Sequence, residues 1–125
     1  MTGRAAILGS AFAVLVGGCA AQQTYDWGKY DPCLYAYYRD PTKEAELESS
    51  LVEIIQTGGA KGKAVPPGIY AEYGYLQLQH GKTQQAIELF QQEEAHWPES
   101  KVFMERMIKV AGTPGSAPQG AGTKP

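Results

Sequence analysis

Prolines and glycines punctuate the middle of this chain, and between the breaks apolar residues recur at helical spacing, with no four-residue stretch alternating as a strand would. That combination points to short helices that must bury their stripes against one another. Asp31-Pro32 supplies an N-cap followed by proline at the first helical position, opening a short helix to about Arg39. Asp40-Pro41 repeats the signal for a second helix to about Thr57, with Leu47, Leu51, Ile54 and Ile55 on one stripe and Glu44, Glu46, Glu48 and Glu53 mostly elsewhere. Gly58-Gly59 reads as its end and Ala60 to Val65 as a mobile basic loop. Pro66-Pro67 launches a third helix to about His80, and Gly81 makes the turn. The fourth carries Ala86, Ile87, Leu89 and Phe90 to about Trp97, where Pro98 stops it. A fifth, Ser100 to about Ala111, shows Phe103, Met107, Ile108 and Ala111 on one side. The expected fold is all-α: five helices in antiparallel hairpins over residues 25–111.

The flanks read differently. Gly112 to Pro125 holds four glycines and three prolines in 14 residues and is expected to be a disordered tail. At the other end Arg4 precedes Ala5 to Val16, an uncharged stretch of 12 residues. As a helix that stretch covers about 18 Å, against about 30 Å of hydrocarbon, so residues 1–18 fit a secretory signal peptide better than a span. Val16, Gly17, Gly18 and Cys19 resemble the lipobox of bacterial lipoproteins. The thiol is the nucleophile that takes the lipid, and small neighbours admit a peptidase to the bond before it. Cys19 is thus the expected lipidation site, with residues 19–24 as a lipidated tether. Ala20 rather than Asp after it resembles lipoproteins passed to the outer membrane of a two-membrane bacterium.

Residues 67–100 resemble one tetratricopeptide repeat over its 34-residue period. With Pro67 as position one, Tyr70, Tyr73, Gly74, Gly81, Ala86, Phe90 and Pro98 fall where that repeat favours large, large, small, turn glycine, small, aromatic and terminating proline. Gln77 and Glu93 depart from the usual Tyr and Ala. The steric reason for the pattern is that Gly74 and Ala86 let two helices approach, while Tyr70 and Phe90 fill the gaps between hairpins. Residues 31–58 repeat the arrangement, distorted by the AKGKAV insertion, and the fifth helix sits where a capping helix belongs.

In such repeats the inward face uses positions that here are Gly68, Ala71, Tyr75, Leu78 and Gln79. Tyr75 lies off the Ile69, Tyr73, Leu76 stripe, which makes it the leading candidate for partner binding, with Ala71 and Gln79 beside it. Tyr25, Trp27, Tyr30, Tyr35, Tyr37 and Tyr38 place six aromatics in 14 residues. They are either core for a small domain or a docking surface, and Trp27 and Tyr30 are the further binding candidates.

The chain from Tyr25 to about Ala111 also resembles a domain-of-unknown-function family of small bacterial lipoproteins, through YDWGKYDPCLYAYYRDP at 25–41 and PPGIYAEYGYLQLQHGK at 66–82. Members of that family tend to be encoded beside lipoproteins similar to the curli secretion channel subunit, so the resemblance implies such a lipoprotein as partner in an outer-membrane assembly. It implies no activity.

Chemistry offers little else. His80 and His96 fall at the carboxyl ends of antiparallel helices, about 20 Å apart, too far to share a metal. Cys33 reads as a buried apolar thiol, and Glu93-Glu94 with Glu44, Glu46 and Glu48 as solvated faces. GGAKGK at 58–63 lacks Walker spacing. With a net charge of -2 and both signs interspersed, no cationic field exists to hold nucleic acid. No catalytic constellation, metal site or cofactor is expected. The expected function is a lipid-anchored periplasmic protein-interaction module at the outer membrane. The alternatives are a pilotin-like chaperone for a channel subunit and an accessory regulator of cell-wall synthesis.

Overall fold

Asp40 starts the second helix as its sequence position predicts: its Oδ1 accepts from the Thr42 backbone N–H at 3.0 Å and from the Thr42 hydroxyl at 2.7 Å. These contacts come from a computed structural model that describes residues 25–60 and 62–115. The segments expected to be a signal peptide and a lipidated tether, Cys19 among them, and all but the first residues of the expected tail lie outside the described residues.

Five α-helices occur among the described residues: α1 (Tyr30–Arg39), α2 (Glu44–Ala60), α3 (Ile69–Gln79), α4 (Thr83–His96) and α5 (Lys101–Ala111). Short 3-10 turns, Pro41–Lys43 and Pro98–Ser100, lead into α2 and α5. The one β-type contact described is an isolated parallel bridge between Tyr25 and Ala64. The fold is all-α, as expected.

Two helix ends differ from the sequence reading. Asp31 does not cap α1; it lies in the first turn, after Lys29. The chain has already turned there, with the Gly28 N–H on Asp26 Oδ1 at 3.1 Å and the Tyr30 N–H on the Trp27 carbonyl at 2.9 Å. Pro32 still falls in the first turn, where its missing N–H costs nothing. Nor does Gly58-Gly59 end α2, which continues to Ala60. Gly58 serves another purpose: a Cβ there would lie 2.8 Å from Val65 Cγ2, so hydrogen is the only side chain that lets the buried loop residue Val65 pack down on the helix.

The core has two parts with α3 between them. Leu47, Leu51 and Ile54 of α2 meet Ile69, Tyr70 and Leu76 of α3 in the first. Leu78 of α3 joins Ala86, Phe90, Met104 and Ala111 in the second. The α3–α4 hairpin turns at Gly81, whose φ of 72° suits glycine. Its helices approach closely because Gly74 has no side chain: a Cβ would sit 2.7 Å from Phe90 Cε1 and 3.2 Å from the Ala86 carbonyl oxygen.

Four further expectations need correction. Phe103 is 60% exposed, and its neighbour Met104 fills the core instead. One residue is about 100° of helix, and both side chains are large and apolar, so spacing alone does not separate them. Glu93 is not on a solvated face: it is 1% exposed, and Oε1 accepts from the Gly68 N–H at 2.7 Å, tying α4 to the start of α3. Glu44 and Glu48 are half-buried cross-links, Glu48 accepting from the buried Gln77 Nε2 at 2.8 Å and Glu44 pairing with His80. Cys33 is half-buried against the first core rather than enclosed by it.

Candidate interaction groove

Gly68, which precedes α3, and residues 71, 72 and 75 on it follow the i, i+3, i+4, i+7 rhythm of one helix face. The structure turns that face toward α1 and α5. Gly68, Ala71, Glu72 and Tyr75 line a groove of about 310 Å³ together with Tyr30 of α1 and Phe103 and Met107 of α5. Phe90 and Met104 reach it from the second core. Apart from one carboxylate and two tyrosine hydroxyls the groove is apolar, with the half-buried rings of Tyr30 and Tyr75, the exposed ring of Phe103 and the flexible thioether of Met107, which can adapt to an incoming side chain.

Burial dominates its electrostatics. It raises the Glu72 carboxyl above the ordinary glutamate value, and no other cause contributes. The Tyr30 hydroxyl is pushed up to about 12, first by burial and then by the charge on Glu72. The position of Glu72 in the first turn of α3 offsets part of the cost of its charge.

A stability consequence follows. The folded state holds the Glu72 proton more tightly than the unfolded chain does, so this group favours folding at low pH, and the benefit is lost as pH rises through the carboxyl range. Glu72→Gln should therefore be more stable than the parent at pH 7, by under about 1 kcal/mol after solvent screening, with the gain shrinking at acid pH. Urea melts at neutral and at acid pH check this; an unchanged midpoint at neutral pH contradicts it.

A family model described as a domain of unknown function, DUF4810, matches residues 24–107. The chain belongs to that family. No curated protein and no solved structure gives a match. The DUF4810 match runs from the residue before Tyr25 to Met107, so every residue of the groove falls within it.

The other candidates named from the sequence scatter across the DUF4810 domain. Leu78, expected on the inward face, is 3% exposed in the second core. Gln79 is half-buried and lines no part of the groove. Trp27 is half-buried against the first core, its ring 5.8 Å from Tyr30 and 6.3 Å edge-on from Tyr25. The aromatic run thus divides: Trp27, Tyr30 and Tyr37 pack inward, while Tyr35 and Tyr38 are exposed, with the Arg39 guanidinium over the Tyr35 ring at 5.7 Å. Sequence reasoning missed Glu72, although its place one turn from Gly68 and from Tyr75 was the available signal. Among the described residues, no group of three or more His, Cys, Asp or Glu side chains is placed to hold a metal ion.

Proposed function

We propose that this DUF4810 protein is a lipid-anchored periplasmic interaction module, tethered to the outer membrane through Cys19, which helps assemble an outer-membrane lipoprotein or secretion-type complex. The observation that carries the reading is the groove: Tyr75, Ala71 and Tyr30, three residues singled out as binding candidates, come together with Phe103 and Met107 around one apolar concavity. A groove of that kind takes side-chain anchors from another protein and offers a reaction little to work with. The crowding of Gly74 against Phe90 and Ala86 is the close approach a tetratricopeptide-like hairpin requires, and supports reading residues 67–100 in that way. Anchoring adds to a modest contact, because confinement to a membrane surface raises the effective concentration toward an embedded or anchored partner.

Photocrosslinking in intact cells tests the proposal. A photoreactive side chain at Tyr75 should capture a defined envelope protein, a curli-secretion-channel-like lipoprotein being the expected one, while the same group at exposed Glu99 on the 3-10 turn captures it far less. Capture no stronger at Tyr75 than at Glu99 removes the groove as the binding surface.

A further inference from the structure

Five glutamates among the described residues are not fully exposed: Glu44, Glu48, Glu72, Glu93 and Glu94. Four of them have partners. Glu44 pairs with His80, Glu48 with Gln77, Glu93 with the Gly68 N–H, and Glu94 with Lys101 Nζ at 3.7 Å. Glu72 alone pairs with no described donor or cation, and it is the only charged side chain lining the groove. A half-buried carboxylate whose cost is offset only in part by its place in the first turn of α3 lowers stability until a cation pairs with it.

We propose that the groove receives a segment of a partner protein in which apolar anchors surround one basic residue, and that this residue, arginine in preference to lysine, pairs with Glu72. The proposal rests on the interaction reading above and specifies the partner's chemistry. Charge complementarity selects the cation, since the groove holds one negative group and no positive one. The aromatic rings of Tyr30 and Tyr75 beside Glu72 favour a guanidinium, which is planar, weakly hydrated and able to stack on a ring while bonding a carboxylate. Phe103 and Met107, which line the same groove, call for apolar side chains flanking the cation. The chain's own carboxyl-terminal stretch does not meet that description: GSAPQGAGTKP has a single cation, Lys124, and no apolar side chain larger than proline.

A random linear-peptide display library, panned on the detergent-purified full chain, supplies the probe. The most enriched peptide is then synthesised with and without its basic residue and titrated against the native chain, Glu72→Gln and Tyr75→Ala, with helicity by circular dichroism confirming that each variant is folded. The expected peptides are apolar with one basic residue, arginine more often than lysine. Replacing that residue by glutamine should weaken binding to the native chain about tenfold, the size of a charged hydrogen bond. It should leave binding to Glu72→Gln unchanged, and Tyr75→Ala should weaken every peptide. Apolar peptides that need Tyr75 but show no basic preference and bind Glu72→Gln equally well overturn the pairing and leave the groove as a docking site. Peptides indifferent to both variants, or no enrichment at all, overturn the groove as well.

Discussion

Gly74→Val should destabilise the domain by about 3 kcal/mol or more, the upper range for forcing extra carbons into a packed core. In an exposed helix the same change would be close to neutral or mildly favourable, because glycine is the poorest ordinary helix former. Here the sign reverses. A Cβ alone would meet Phe90 Cε1 at 2.7 Å and the Ala86 carbonyl at 3.2 Å, and valine adds two branches held in one rotamer within a helix. The carbonyl belongs to the α4 backbone and cannot move aside without shifting the helix, so the strain spreads to the second core. For a domain of this size each kilocalorie is about 4–8 °C in Tm. Phe90→Leu costs stability alone but vacates the ring position, so the double variant should lose less than the two single losses added together. Thermal melts of the four proteins in that cycle measure the coupling. Additive losses would mean that the helices do not meet at Gly74.

That contact is legible in the sequence because a small residue at one fixed offset from another small residue and an aromatic has a steric meaning. Helix identity was legible for the same kind of reason: Asp40-Pro41, Gly81 and Pro98 are local signals, and local geometry honours each of them. What failed depended on distant residues. Nothing near Gly58 announces that Val65 will press on it, so the glycine looked like a stop. Glu93 resembles the exposed Gln91 and Gln92 before it, and its partner, the Gly68 N–H, is 25 residues away. The start of α1 moved because Asp26 and Gly28 had already bent the chain. In the groove, Tyr75 could be found by its absence from the apolar stripe. Glu72 shares the face of Gly68 and Tyr75, yet a glutamate on a helix is usually solvated, and only the approach of α1 and α5 makes it otherwise.

Cys19→Ser should remove the protein from the outer-membrane fraction of a density gradient, where the parent is expected to be found. The expectation turns on chain length and chemistry. Ala5 to Val16 is too short to hold the protein by spanning the bilayer, and among the described residues no helix is long and apolar enough to cross it. On the proposed reading, retention comes from lipid on Cys19. Acyl chains contribute about 0.8 kcal/mol for each buried methylene; one chain gives only marginal binding, but the several carried by a bacterial lipoprotein hold it in place. Serine offers no thiol to take that lipid, and its oxygen is a far weaker nucleophile. The described helices begin at Tyr30, 11 residues past Cys19, so the purified variant should keep the parent's helicity and Tm. Those two readouts separate anchoring from folding. If the serine variant still co-sediments with the outer membrane, the docked partner rather than Cys19 holds the protein there, and adding Tyr75→Ala to it should then release the chain.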